Sequence, residues 1–302
     1  MSETLQERVA ASLAREIHPE VAEYARKLGE EAGACAVLFY GSNLRTGSLE
    51  GVLDFYVLLP GPQQERIWPR VSYREWEREG EVLRAKIATI SLAKFAEAAR
   101  GESRDTTIWT RFVQPSALIW ANGEDARKQT LSAVAQAART ASRFAAVLGP
   151  EKGPAEAYWR ALFQATYRAE FRVEKPGRED SILSVNAGHF EGLLPLAWQA
   201  EGIAFERDGR MLEPRLDPAA RARTAEAWKR RERMGKALNI LRLAKATTTF
   251  EGAARYGAWK LERHTGIALE VTPFREKHPL LAMPGAAWDL WRAKRRSDQA
   301  QR

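Results

Sequence analysis

Two short apolar runs, at residues 34–40 and 52–59, constrain the fold of this chain most strongly. The first is wholly apolar and ends at Gly41, and the second is rich in β-branched and aromatic residues and ends at a Pro-Gly-Pro turn. Short runs of this kind between turn-forming residues are typical of buried strands. We therefore predict two central strands of one sheet.

Asp54 interrupts the second run. Because side chains alternate along a strand, Asp54 shares one face with Tyr56, whereas Leu53 points to the other. An unpaired buried carboxylate is costly, so this position calls for a metal ion, a salt bridge or exposure at the sheet edge. A purely structural alternative is that Asp54 caps the loop after Gly51 or pairs with Arg45.

The turn Gly41-Ser42 precedes Asp54 with eleven residues between Ser42 and Asp54. Glycine lets a backbone approach phosphates, and the serine hydroxyl and following amides can donate hydrogen bonds to them. A carboxylate on the adjacent strand can bind Mg²⁺, a hard cation that neutralises a triphosphate during in-line displacement at phosphorus. This pattern favours nucleotidyl transfer. Polymerase-type enzymes carry a second acid where this chain has Tyr56, so either a distant carboxylate completes the metal site or the chain binds nucleotide without transferring it.

The rest of the chain divides into helices and short strands. Four apolar residues spaced four apart, from Leu5 to Ile17, predict one N-terminal helix. A third strand is expected at residues 82–90, followed by a helix that begins after Ser91 and runs through Arg100. Residues 63–80 have no clear periodicity. A hairpin is predicted around Asp208-Gly209. Helices are predicted at residues 124–148 and 155–173, and residues 228–264 are predicted to form one long basic helix or a pair of helices.

The predicted fold class is α+β, with a polymerase β-like nucleotidyltransferase fold. We expect a mixed sheet with helices in residues 1–122, and a mainly helical, winged-helix-like domain with a small β-hairpin in residues 123–228. A basic amphipathic region follows at residues 229–302.

The net charge of +8 is concentrated in that last region. Residues 229–263 hold ten Lys or Arg against three Glu, and residues 292–302 hold five against one Asp. Such a surface attracts anionic lipid or nucleic acid, and charge does not distinguish them. A basic helix with Ile240, Leu243 and Thr247 on one stripe could lie in a membrane interface, or its apolar side could pack on the body of the protein.

The composition also bears on the compartment. The single cysteine, Cys35, excludes an internal disulfide within these residues, and we expect it to be a buried strand residue in a reducing cytoplasm. No apolar segment approaches the length of a membrane span, and the N-terminus does not resemble a signal peptide. The four histidines lack ligand spacing, and none is assigned to a metal.

The motif around Asp54 resembles that of the mitochondrial translocator assembly and maintenance family, which are phosphatidate cytidylyltransferases. In that family Tyr-Gly-Ser is followed by a variable loop, a hydrophobic residue, Asp and two hydrophobic residues, as in Tyr40-Gly41-Ser42 and the segment around Asp54. Tyr56 in place of a second acid is therefore similar to the family pattern.

Three further segments resemble the family in the same order, so the likeness covers residues 39–172. They depart from its pattern at Ala88, Gln114 and Ala169. The segments are Lys86-Ile87-Ala88, Thr110-Arg111-Phe112-Val113-Gln114-Pro115 and Tyr167-Arg168-Ala169-Glu170-Phe171-Arg172.

The resemblance implies transfer of CMP from CTP to phosphatidate with Mg²⁺, at the inner face of the cytoplasmic membrane. Asp54 and Lys86 would be catalytic. Asp54 would bind the metal, and Glu170 would be either its second ligand or a partner that holds Arg172. The implied nucleotide- and phosphate-binding residues are Tyr40, Gly41, Ser42, Asn43, Arg111 and Arg172.

Other readings of these residues stay open. Each later charge could be a surface residue or part of a salt bridge between domains. The acceptor could instead be RNA, a protein or a small phosphorylated metabolite. The chain could also be a catalytically silent nucleotide- or RNA-binding module, although a nucleic-acid partner is the less favoured one.

Overall fold

The computed structural model describes residues 3–78, 81–170, 178–265 and 270–277. The architecture is α+β, with a mixed five-stranded sheet, as predicted. The strands are β1 (Ala36–Tyr40), β2 (Leu53–Leu59), β3 (Arg70–Arg78), β4 (Glu81–Ser91), β5 (Ser116–Ala121), β6 (Gly153–Pro154), β7 (Ala204–Asp208) and β8 (Met211–Arg215). The helices are α1 (Leu5–Leu13), α2 (Pro19–Glu31), α3 (Ser42–Thr46), α4 (Leu92–Ala99), α5 (Thr107–Phe112), α6 (Glu124–Leu148), α7 (Ala155–Glu170), α8 (Arg178–Val185), α9 (Ala187–Phe190), α10 (Leu193–Glu201), α11 (Pro218–Thr249), α12 (Ala253–Thr265) and α13 (Pro273–Lys277).

The main sheet has the strand order β3-β4-β2-β1-β5. Strand β2 pairs in parallel with β4, and the other neighbours are antiparallel. The predicted strands β1 and β2 are both interior, which explains their apolar composition. The sequence did not predict β3, because an edge strand carries charged side chains and loses the apolar pattern of an interior strand. It also missed the short strand β5.

The two faces of β2 contact different apolar clusters, which confirms the predicted alternation. Tyr56 and Leu58 belong to a cluster that continues into α4, α5, α6, α7 and α10. Leu53, Phe55 and Val57 belong to a second cluster under α2. Asp54 shares a face with Tyr56 and therefore lies on the side of the sheet that is covered by α4, α5, α6, α7 and α10.

The N-terminal helix is not continuous, contrary to the prediction. Leu5, Val9 and Leu13 are buried along α1, but Ile17 lies between the helices and packs against the second cluster. Helix α2 begins at Pro19, where proline lacks the N–H needed inside a helix and disfavours helical geometry at the preceding residue. The proline therefore ends the continuity that the spacing had suggested.

The helical part agrees with the prediction in some elements, but α8, α9 and α10 were not predicted and α11 begins at Pro218, before the predicted start at residue 228. Ser91 caps α4 through its side chain, and α6 has the predicted bounds. The hairpin of β7 and β8 is also present, but Asp208 pairs with Met211, so its central loop residues are Gly209 and Arg210. Cys35 precedes β1 and is half-buried, which corrects its assignment to the strand.

Helix α11 packs on the body of the protein, but with a different side from the one predicted. Ile240 is 60% exposed, so the predicted apolar stripe is wrong at this residue. The side chains of Leu243 and Thr247 lie outside the described residues. Gly235 and Asn239 face α7 instead: a Cβ on Gly235 would lie 2.3 Å from the Ala169 carbonyl oxygen, and the Asn239 amide donates to the Glu170 carbonyl oxygen.

Two basic residues of α11 are also engaged within the protein. Arg242 pairs with Asp105, and Lys245 pairs with Glu65. No helix in the described part of the chain is long and apolar enough to cross a membrane.

Candidate functional site

The predicted site begins with a row of residues across three strands of the sheet. Tyr40 of β1 lies opposite Asp54 of β2, and Asp54 lies opposite Lys86 of β4. Residues directly opposite each other in a sheet point to the same face. The pairing therefore brings together three residues that are far apart in sequence, on the face covered by the helices.

Gly41 and Asp54 are held in close contact. Gly41 has a φ of 94°, which an L side chain rarely adopts, and a Cβ at this position would lie 2.8 Å from Asp54 Oδ2. Glycine is thus required both by the turn and by the approach of the carboxylate. The same turn starts α3 at Ser42, so the first amides of α3 lie next to Asp54.

Asn43, which was predicted to contact nucleotide or phosphate, has its side chain engaged within the turn. It is buried, and its amide donates to the backbone oxygens of Ser48 at 2.9 Å and Glu50 at 2.6 Å. The side chain therefore braces the loop between α3 and β2. The Ser42 hydroxyl donates to Asn43 Oδ1 at 3.3 Å.

Arg111 reaches the row from α5. Its guanidinium carbon lies 5.0 Å from the centre of the Tyr40 ring and 5.7 Å from that of Tyr56, and Nη1 donates to the Tyr56 hydroxyl at 3.2 Å. Burial alone lowers the pKa of this guanidinium, but the neighbouring Tyr40, Tyr56 and Asp54 more than offset that effect and raise it. Arg111 is therefore a fixed cation beside Asp54.

Asp54 itself has a raised pKa. Burial raises it, and the positive charges of Lys86 and Arg111 lower it by less. The carboxylate is thus partly buried beside two cations, Lys86 and Arg111.

These residues open onto a cleft of about 220 Å³. Five of its lining residues were predicted for the site, and Lys86 lies next to Asp54 on the neighbouring strand. The cleft is lined by Tyr40, Gly41, Ser42, Arg45, Asp54, Arg111, Gln114, Pro115, Tyr167 and Ile182. The segments around Tyr40, Arg111 and Tyr167, which are separated in sequence, therefore meet in one place.

Glu170 lies at the end of α7 and is buried. Its carboxylate accepts a hydrogen bond from the Thr106 hydroxyl, and it contributes, like Asp54, to raising the pKa of Arg111. The two predicted metal ligands thus act on the same guanidinium. Among the residues that the structure describes, no group of three or more His, Cys, Asp or Glu side chains could hold a metal ion. Arg172 lies outside the described residues.

The carboxylates of this site fit Mg²⁺ if phosphates of the substrate and water supply the remaining ligands. Magnesium is commonly bound by one or two carboxylates together with substrate phosphates and water, so a dedicated protein cage is not needed. Asp54, next to a turn with free space for phosphates, supplies one such carboxylate.

Sequence reasoning missed some residues of the cleft. Arg45 follows Ser42 on the short helix α3, and its Nη1 donates to the Gly41 carbonyl oxygen at 3.4 Å. The sequence suggested Arg45 as a possible partner of Asp54, and it was not assigned to the binding site. Tyr167 belonged to a segment that was recognised, but no role was assigned to it. Nothing in the sequence pointed to Ile182, since α8 meets the cleft only through tertiary packing.

The other end of the row is covered by α12. Tyr73 of β3 lies opposite Lys86, and its ring packs 5.4 Å from that of Tyr256. Arg84 lies over the Trp259 ring at 5.7 Å. The basic C-terminal region thus forms one border of the site.

Comparisons with known proteins place the chain in no family. No protein-family model matches it, and a search of curated proteins finds no significant match.

Proposed function

We propose that this protein is a Mg²⁺-dependent nucleotidyltransferase that transfers CMP from CTP to phosphatidate, forming CDP-diacylglycerol and pyrophosphate. The observation that carries the proposal is the contact between the Gly41 turn and Asp54 at the floor of a cleft. A tight turn that can cradle phosphates and a carboxylate that can meet their metal ion are the two parts that nucleotidyl transfer requires.

In the proposed reaction, an oxygen of the acceptor phosphate attacks the α-phosphorus of CTP. A new P–O bond forms, the bond from the α-phosphorus to the oxygen that bridges the α- and β-phosphates breaks, and pyrophosphate leaves with that oxygen and the electron pair. Asp54 would hold the Mg²⁺ ion that accompanies the triphosphate.

 When bound, Mg²⁺ would neutralise the negative charge that develops on the phosphates as the bond to pyrophosphate breaks.

The other residues at the cleft have separate proposed roles. The backbone amides at the start of α3 and the Ser42 hydroxyl would donate to the phosphates, and Asp54 would hold the metal. Arg111 would hold a phosphate with its planar fork, whereas Lys86 offers a compact charge for the leaving pyrophosphate. Tyr40 and Tyr56 keep Arg111 in place through ring contacts and a hydrogen bond. Glu170 stays a proposed second metal ligand.

The choice of CTP and phosphatidate rests on the family resemblance. It is supported by the fact that three of the recognised segments line the same cleft. Action on phosphatidate would take place at the inner face of the cytoplasmic membrane, where the exposed Ile240 and Leu241 of the basic helix α11 offer an apolar contact.

The test uses purified protein with Mg²⁺, CTP labelled at the α-phosphate, and vesicles that contain phosphatidate. We expect a labelled lipid and the release of one pyrophosphate per lipid formed. Asp54→Asn should lower the rate by roughly a thousandfold, because the metal loses its carboxylate. Arg26→Gln, on the exposed surface of α2, serves as the matched control and should retain the wild-type rate.

Other outcomes separate the alternatives. A labelled RNA, protein or soluble phosphorylated metabolite in place of the lipid would keep the transferase class and change the acceptor. The small number of carboxylates at the described site favours one further candidate, a nucleotide-binding module without transfer. Binding of CTP without turnover on any of these acceptors would support that candidate and reject the enzyme.

A further inference from the structure

A groove of about 540 Å³ adjoins the cleft on its outer side. The two share Arg45 and Pro115, so the groove begins where the cleft ends. Its walls come from α1, the loop after α1, and the helices α8 and α9. The lining residues are Glu3, Arg8, Ala11, Ser12, Arg15, Arg45, Pro115, Val185, Asn186, Gly188 and His189.

The charge of this groove is strongly positive. Of the residues that the structure describes, Arg8, Arg15 and Arg45 line the groove together with one carboxylate, Glu3, which lies 3.7 Å from Arg8 and is 47% exposed. His189 adds no charge at neutral pH, because burial and the nearby Arg15 and Arg8 lower its pKa to about 4. The groove therefore has an excess of guanidinium groups and favours an anion.

Arg15 is the most informative of these residues. It is half-buried, and its guanidinium donates to Ser12, to the backbone oxygen at 3.0 Å and to the hydroxyl at 3.2 Å. Among the residues that the structure describes, no carboxylate forms an ion pair with it. Bonds to Ser12 orient the planar group along α1 and leave its positive charge without a neighbouring counter-charge, so an incoming anion would meet a preoriented donor.

Arg8 has a different task. Its Nη2 donates to the backbone oxygens of Gly188 at 2.9 Å and Glu191 at 3.0 Å. His189 also has a structural role, since its Nε2 lies 2.8 Å from the Val113 carbonyl oxygen and can donate a hydrogen bond to it. These bonds fix α1 and α9 relative to each other, so the walls of the groove are held in place without a ligand.

We propose that this groove is the acceptor subsite, and that Arg15 and Arg45 bind the phosphate monoester of the acceptor at its junction with the cleft. The proposal rests on the proposed transferase function. An in-line displacement needs the attacking and leaving oxygens on opposite sides of phosphorus, so the acceptor phosphate requires a binding place separate from that of the nucleotide. Guanidinium groups bind phosphate through paired hydrogen bonds. The groove opens to solvent beside the exposed Val185, which leaves room for the remainder of the acceptor outside the protein.

The first experiment measures binding without CTP, by titration calorimetry. The probes are short-chain phosphatidate, glycerol 3-phosphate, and the corresponding diacylglycerol without phosphate. We expect the two phosphate monoesters to bind and the diacylglycerol to bind at least tenfold more weakly. Comparable binding of glycerol 3-phosphate would identify a soluble phosphate as sufficient, whereas binding of phosphatidate alone would identify the lipid. Equal affinity for diacylglycerol and phosphatidate would overturn the proposal.

The second experiment measures Arg15→Gln, with Arg26→Gln as the matched control. Arg15→Gln should raise the dissociation constant for the phosphate monoester about tenfold, and Arg15→Lys should restore part of the loss. In the transfer assay the KM for the acceptor should rise by the same factor, while the KM for CTP stays unchanged. A rise in the KM for CTP instead would assign the groove to the nucleotide and overturn the proposal.

The two proposals fail in different ways. If no transfer is seen but Arg15→Gln still weakens binding of the phosphate monoester, the transferase function fails and the anion subsite stands. If transfer occurs and neither binding nor the KM for the acceptor responds to Arg15→Gln, the function stands and the subsite fails.

Discussion

The cleft at Asp54 and the basic helix α11 both concentrate charged residues, but they use them differently. At the cleft, Lys86 and Arg111 lie beside the partly buried Asp54 carboxylate, and Arg111 lines the open volume. On α11, Arg242 and Lys245 each pair with a carboxylate and also donate to a backbone oxygen of the loop before β3. Charge density alone is thus a poor guide to a binding surface. What distinguishes the two regions is that Arg111 borders open volume, whereas Arg242 and Lys245 are held between a carboxylate and a backbone oxygen.

The largest expected effect concerns the anchoring of α11. Arg242→Met should lower the free energy of unfolding by about 3 kcal/mol, because it leaves the buried Asp105 carboxylate without its cation. The matched control is Arg230→Met on the same helix, whose exposed pair with Glu226 should cost less than about 0.5 kcal/mol. Denaturant unfolding followed by circular dichroism measures both. Equal losses for the two variants would contradict a structural role for Arg242.

A second prediction concerns the contact between α11 and α7. Gly235→Ala places a Cβ 2.3 Å from the Ala169 carbonyl oxygen, a backbone atom that cannot move freely, so the helices must separate. We expect a loss of roughly 1 to 3 kcal/mol in the free energy of unfolding.

Gly257→Ala on α12 is the control for this variant, because nothing lies within 4 Å of its added Cβ. Alanine is the better helix former, so this change should stabilise by up to about 1 kcal/mol. Thermal unfolding of both variants would show opposite shifts. A stabilised Gly235→Ala would mean that α11 does not pack closely on α7.

The smallest expected effect on stability lies in the cleft. Burial raises the pKa of Asp54 above its ordinary value of 3.8, so the folded protein binds this proton more tightly than the unfolded chain does. The free energy of unfolding therefore falls as the pH rises from 3.8 towards the raised pKa. Asp54→Asn removes this loss and should be slightly more stable than the wild type at neutral pH.

The activity should respond to pH in the opposite direction, since binding of Mg²⁺ requires the ionised carboxylate. The transfer rate should rise with pH over the window in which stability falls. Urea unfolding of Asp54→Asn and the wild type at pH 4 and pH 7 measures the first effect, and a pH profile of kcat/KM measures the second. A variant that is less stable than the wild type at pH 7 would show that Lys86 and Arg111 outweigh the burial of Asp54.

Much of the sheet and of the candidate site followed from local sequence signals. The apolar runs predicted β1 and β2, and Ser91 predicted the start of α4, because burial and capping act within a few residues. The edge strand β3 was not predicted, because its many charged residues interrupt the apolar pattern by which buried strands are recognised. The break at Pro19 was visible in the sequence, but the apolar spacing through Ile17 obscured it.

The sequence by itself determined the chemistry of the cleft: a glycine and a serine after one buried strand, and a carboxylate within the next. Only the tertiary structure decided which distant residues join them. Strand pairing sets Lys86 opposite Asp54, and helix packing brings Arg111 and Tyr167 to the same cleft. It also decided that Arg242 and Lys245 are anchors of α11, since a charge becomes structural only when folding gives it a partner. Turns and alternation are local properties of the chain, whereas ion pairs and clefts depend on contacts between residues more than a hundred positions apart.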